Sequence, residues 1–249
     1  MLRAPSSATD PTASSEDAAP LTSVQRRRLR KLNAIMDAAE LLVQDVGLDG
    51  LTMAKVAAEV DMTAGALYRY FPGKEQMFVQ MQVRALAEIE DRLSEALAAV
   101  DRRDAAVGAG GKSPLFALAR VVSASAVHRD YAEQRPARFS LLAMGLSEQR
   151  DLVADGGSTE VWQGVARLLG DIGALIDEAV ASGALNEGDR IQRALCLMMG
   201  GQGLLQLAKM NRHVPDLPSP GVLAQQLCRD LLTGWGADPT TLRDAESLA

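Results

Sequence analysis

The chain has 249 residues, 47% hydrophobic and 23% charged, which supplies one large core or two smaller ones at the usual ~100–200 residues per domain. No apolar run approaches the ~20 residues that span a bilayer, and the first thirty residues hold no block resembling a signal peptide, so a cytoplasmic protein with no membrane partner is expected. A net charge of −6 and a pI near 5.1 argue against a protein that coats nucleic acid over its whole surface.

Residues 1–24 are rich in Ala, Ser, Thr and Pro without hydrophobic periodicity and read as a disordered tail. Residues 25–81 then escape the acidic bias, with eight bases against seven acids, while residues 82–249 carry seventeen against twenty-two. Five of the bases, Arg26, Arg27, Arg28, Arg30 and Lys31, fall within six positions, which suits an electrostatic footprint on phosphates. From about Gln25, apolar residues recur every three or four positions through Leu29, Leu32, Ile35, Met36, Ala39, Leu42, Val43 and Val46. This predicts an amphipathic helix that stops at Gly47.

The stretch "LTMAKVAAEVDMTAGALYRYFPGKEQMF" carries the most information. Thr52 is placed to cap a short helix reaching Val60, with Met53, Val56, Ala57 and Val60 facing inward. Asp61-Met62 makes a tight turn. Thr63 caps a second short helix to about Tyr70, and Pro72-Gly73 breaks the chain before a longer helix starts near Lys74. Two short helices joined by such a turn form a helix-turn-helix whose second helix is sized for the major groove. Ala64, Gly65 and Ala66 allow close backbone approach, Tyr68 and Tyr70 offer hydroxyls to phosphate oxygens, and Lys74 adds charge at the next helix start.

This segment, over roughly residues 25–80, resembles the N-terminal signature of TetR-family regulators, in which a Gly-containing "LYxYF" recognition helix precedes a Lys-initiated fourth helix. The resemblance implies a DNA-binding set of Thr52, Lys55, Thr63, Ala64, Gly65, Ala66, Tyr68, Arg69, Tyr70 and Lys74. Thr63, Ala64 and Ala66 would face base edges or the adjoining backbone. Tyr68, Tyr70, Lys55 and Lys74 would hold phosphates, and Thr52 would cap the supporting helix. Lys55 stands where the family often has Arg, implying a less bidentate contact. Ala64 and Ala66 are small where many relatives carry Ser, Gln or Thr, which shifts readout toward thymine methyls, Arg69 or DNA shape.

The rest of the chain reads as helical. The helix from Lys74 continues through Met77, Phe78, Met81, Ala85, Ile89, Leu93 and Leu97, rigidly linking an N-terminal head to a larger body, and "DRRDAAVGAGGKSP" (101–114) reads as a flexible loop. Further helices are expected at about 115–130, 133–146, 159–182, 188–211 and 219–234, with breaks near Gly156-Gly157, Ser182-Gly183 and "HVPDLPSPG". The expected fold is all-α, a three-helix helix-turn-helix domain (25–80) followed by a ligand-binding and dimerisation domain (81–236) and a C-terminal tail (237–249).

The stripes on the 159–182 and 188–211 helices have coiled-coil-like spacing. They resemble the antiparallel pair through which TetR-family members form a four-helix dimer interface, implying contacts from Val161, Val165, Leu168, Ile172, Ile176, Ile191, Leu195, Met198, Gln202 and Leu205. Packing within one chain is the alternative reading of both stripes. The resemblance also implies an apolar cavity for a small-molecule effector, with Phe116, His128, Phe139, Met144, Trp162, Met198 and Met199 as candidate lining. Cys196 and Cys228 lie far apart in apolar stretches and suggest buried thiols rather than a disulfide or metal site. With two histidines, no GxSxG, no HExxH and no phosphate-binding loop, the sequence suggests neither an enzyme nor a cofactor. Gly200-Gly201-Gln202-Gly203 lies in a helical pattern with no preceding strand and reads as a close-packing site. The expected function is a ligand-responsive repressor that binds a palindromic operator as a homodimer. A helical protein-interaction module without DNA affinity is the alternative.

Overall fold

The computed structural model describes residues 22–108, 110, 113–147, 159–207, 213–214 and 216–249. Among these there is no strand, and no helix is long and apolar enough to cross a membrane. Of the tail expected over residues 1–24, residues 1–21 lie outside the described residues, as does the break at Gly156-Gly157, while residues 22–24 are ordered instead as the cap and first residues of the opening helix, through the Thr22–Gln25 capping box.

The head is built from α1 (Ser23–Gly50), α2 (Met53–Glu59) and α3 (Ala64–Leu67). Thr22 starts α1 with a reciprocal capping box, its side chain accepting from Gln25 N while the Gln25 side chain accepts from Thr22 N. Gly47 interrupts the helix at φ 73, ψ 172, a region open essentially to glycine, and one further turn follows it. Thr52 and Thr63 cap α2 and α3 through Lys55 N and Ala66 N. The recognition helix is shorter than the expected run to Tyr70. Past Leu67 the backbone turns, with Tyr70 N and Phe71 N both donating to Leu67 O, so Phe71 swings into the core.

The body comprises α4 (Lys74–Val107), α5 (Pro114–Gln134), α6 (Pro136–Ser147), α7 (Thr159–Ala181), α8 (Arg190–Leu205), α9 (Pro220–Gly234) and α10 (Pro239–Glu246). Two differences from the sequence reading have clear causes. The loop expected from residue 101 begins only after Val107. Val100 is buried, and Asp101 and Asp104 pair with Arg120 of α5 at 2.6 and 3.2 Å, so the charged "DRRD" run stays helical until Gly108 ends it in the left-handed region. The expected C-terminal tail is also a helix. Asp238 caps α10, and Leu242 and Ala245 bury against the body.

The core divides into two clusters. One lies in the head, among Ile35, Met36, Val56, Leu67 and Phe71, with Met77, Phe78 and Met81 supplied by the first turns of α4. The other fills the body between α4, α5, α7, α8 and α9. Gly200 permits the close α8–α9 contact expected of its segment, since a Cβ there would stand 2.7 Å from Leu227 Cδ2. α4 runs unbroken across the expected boundary at residue 80, and α6 reaches into the head, where Leu141 is fully buried. The two units therefore share side chains.

Candidate nucleic-acid interface

The recognition face is exposed on a closed support. Leu67 and Phe71 anchor α3 from within, while Thr63, Gly65, Tyr68 and Arg69 are exposed and Ala64 and Ala66 half-exposed. Tyr68, at 52% exposure, is free to offer its hydroxyl to a phosphate. Tyr70 is half-buried against the head core, so its ring braces the site from behind. Lys55 is exposed and donates through Nζ to Gly50 O at 2.8 Å. Lys74 is the first residue of α4, and Thr52 is exposed at the α2 cap. The ten residues named from the sequence thus fall on α2, the capped start and turn of α3, and the start of α4. Asp61, at φ 53 in the α2–α3 turn, is the one non-glycine residue with positive φ among the described residues.

Behind this face lies an ion-pair network that sequence reasoning missed. Arg138 of α6 donates from Nε to Glu40 of α1 at 2.7 Å and from Nη1 to Glu88 of α4 at 2.5 Å, and its Nη2 stands 3.3 Å from Asp37 of α1. Arg84 of α4 also reaches Asp37, at 2.5 Å. Burial alone would raise the Glu88 carboxyl, but Arg138, Arg135 and Arg92 outweigh it and hold its pKa below the usual value. Tyr131 donates its hydroxyl to the same carboxylate at 3.3 Å, and its pKa lies far above the phenol range, chiefly through burial and then the Glu88 charge. Gln82 Nε2 donates to Leu141 O at 3.1 Å. The available sequence signal was Glu40, a carboxylate inside the apolar stripe between Ala39 and Val43, which a buried helix face tolerates only when paired.

Among the described residues, the candidate effector residues are divided between a small body cavity, the two cores and the surface. His128 and Met198 line a cavity of about 10 Å³ with Ala124, Ile172, Gly201 and Leu205, room for about one water. His128 Nε2 lies 2.8 Å from Gln202 Oε1, and burial holds the imidazole pKa down against that hydrogen bond. The Phe139 ring lies 5.4 Å from the His128 ring at a 51° tilt. Phe116 is packed in the body core, and Met144 packs on the head. Trp162 and Met199 face solvent at 48% and 36% exposure, so neither lines this cavity.

The interface residues also divide. Val161, Leu168, Ile172, Ile176, Gln202 and Leu205 are buried within the chain's own body, Val165 and Met198 are half-buried against it, and Ile191 and Leu195 are exposed. The buried six correct the sequence reading, because α7 and α8 direct that side of their stripes into their own core. Gln202 is there as the partner of His128. The outward side instead carries Trp162, Ile191, Leu195 and Met199. Cys228 is buried as expected, and its thiol is pushed up to about 11 mainly by burial, whereas Cys196 is exposed, against expectation, because the outer side of α8 has no cover.

A head with a capped helix-turn-helix, carried by a long helix into an all-helical body, defines a helix-turn-helix regulator fold. The family of bacterial regulatory proteins named for TetR matches residues 35–81. That match lies within the head and the start of the long helix that carries it, and the all-helical fold of the described chain is similar to that of solved TetR-type regulators. Among curated proteins, the nucleoid occlusion factor SlmA of Pasteurella multocida is 26% identical over 120 residues, 48% of this chain and 52% of that protein. The chain thus spans between about a third and about half of the length of the curated relatives it matches. Among solved structures, the fatty acid degradation regulator FadR from Bacillus halodurans superposes with a TM-score of 0.64 at 13% identity, covering 84% of this chain and 97% of that one. AibR, solved with isovaleryl coenzyme A and operator DNA, superposes with a TM-score of 0.59 at 16% identity, covering 81% and 98%.

Proposed function

We propose that this protein is a dimeric, ligand-released transcriptional repressor that reads a palindromic operator in the cytoplasm and catalyses no reaction. The observation that carries the DNA-binding part is the α3 face, where Thr63, Gly65, Tyr68 and Arg69 are exposed while Leu67 and Phe71 fix the helix from inside. AibR, with operator DNA and a coenzyme A thioester in one structure, supports a fold that serves both kinds of partner.

Release of DNA would proceed through α6. His128 borders the small body cavity, Phe139 of α6 packs on its ring, and the neighbouring Arg138 and Leu141 engage the head. A ligand that enlarges the cavity must displace His128 or its neighbours, since about 10 Å³ admits no organic molecule. Displaced through Phe139, α6 would shift its grip on α1 and change the spacing of the two heads. A ligand acts this way only if it binds the open cavity better than the closed one.

The test is selection of bound sequences from a random duplex library at two salt concentrations, followed by electrophoretic-shift titration of the enriched site. A palindrome whose affinity falls steeply with salt supports the regulator. No enrichment from a folded dimer supports the helical interaction module instead.

A further inference from the structure

The first turns of α1 make a surface that neither the recognition helix nor the body uses. Every residue from Thr22 to Arg30 is exposed, so this end of α1 stands clear of the rest of the described chain, held helical by the Thr22–Gln25 capping box. Among the described residues Arg27, Arg28 and Arg30 form no ion pair, so three guanidinium groups stand together on one exposed helix end without a carboxylate partner. Their position also opposes the helix dipole. The N-terminal end of a helix carries partial positive charge and favours acids, yet the first turn here has none and arginines follow directly. Such a charge set weakens the free helix and gains only when an anion arrives.

The place of the patch narrows the anion. Lys31 Nζ donates to Val60 O at 3.0 Å, tying α1 to the C-cap of α2 one residue before the turn that leads into α3. Arg27 and Arg28 lie four and three residues before Lys31 and so share its side of the helix, displaced along the axis by only ~4.5–6 Å. The arginines therefore continue the exposed surface of the helix-turn-helix outward. We propose that Arg27, Arg28 and Arg30 form a second DNA contact, which clamps the phosphate backbone beside the groove entered by α3 and adds affinity without reading bases. This rests on the DNA-binding reading above.

The test compares the full-length protein with the R27Q/R28Q/R30Q variant on the enriched duplex, at full length and trimmed by about five base pairs, half a helical turn, at each end. Each phosphate that is no longer neutralised should lower the slope of log affinity against log salt by about 0.9, so the triple variant should give up as much as about three such steps per head and keep the same preferred sequence. Trimming should bring the wild type down to the variant and leave the variant unchanged. Because the substitutions remove positive charge from a helix start, the variant should melt no lower than the wild type by circular dichroism, which separates weaker DNA binding from unfolding. The single variants R27Q and R30Q should each show a fraction of the effect. Equal slopes and affinities for wild type and triple variant overturn the clamp and leave the regulator standing. Failure of the wild type to bind any duplex overturns both.

Discussion

Asp61 joins α2 to α3 at φ 53, a conformation that suits glycine and that aspartate tolerates better than a β-branched residue. Asp61→Val should destabilise the head by about 1–2 kcal/mol, measured by thermal denaturation, whereas Asp61→Gly should stay close to wild type. On the proposed function, changes at the outward residues of the same unit should alter DNA binding rather than stability. Tyr68→Phe and Lys74→Ala should weaken binding to all duplexes alike, the lysine change lowering the salt slope by about one, while substitution at Ala64 should change sequence preference. In the body, burial keeps His128 below its ordinary pKa of about 6.5 despite the opposing bond to Gln202, so the folded ring is neutral where the unfolded ring takes up a proton. A depressed histidine means that stability falls as the pH drops below about 6.5 and stops falling once the folded ring also protonates. His128→Asn should flatten the melting temperature against pH in that window, and an unchanged slope would mean that the ring is solvated.

α6 shows how far a short helix can carry structure between two cores. Leu141 completes the head core from outside the head, and Leu141→Ala should cost about 2–5 kcal/mol, the range for buried leucine truncation. Arg138→Gln removes the cation shared by Glu40 and Glu88 and should cost roughly 1.5–3 kcal/mol at neutral pH, the worth of a hydrogen bond to a charged group. The pH dependence gives this loss its signature. Glu88 titrates below its ordinary value when paired, so its contribution is present above about pH 4.5 and is lost as pH falls through the folded pKa. The gap between Arg138→Gln and wild type should therefore narrow in acid, which melts at pH 7 and pH 4 would reveal. The approximate position of α6 was legible from apolar spacing. Its role was not, because periodicity says which side of a helix is apolar and nothing about which of two neighbouring cores that side enters. The "DRRD" end of α4 illustrates the same limit, since only the position of Arg120 on another helix makes that charged run helical.

At the scale of the whole molecule, the head was readable almost residue by residue because capping and turn chemistry are local. The body was readable as helices whose mutual facing had to come from the structure. α7 and α8 are apolar on two sides, and spacing alone could not tell the side facing their own core from the side left outward. The outward side, with Trp162, Ile191, Leu195 and Met199, is what a partner copy of the chain would cover. A two-fold pairing there would be self-complementary and would present two heads to successive major-groove turns, roughly 34–36 Å apart on a palindrome. Leu195→Glu tests this cleanly, because Leu195 is already 39% exposed and a charge there costs the isolated fold little. The variant should sediment as a monomer with unchanged helicity and bind a half-site about as well as the palindrome. Ile172→Glu, which places a charge at 2% exposure in the body core, should instead lose its helical melting transition. A Leu195→Glu protein that remains dimeric would place the interface on another face, and a palindrome read by a monomer would remove the need for one.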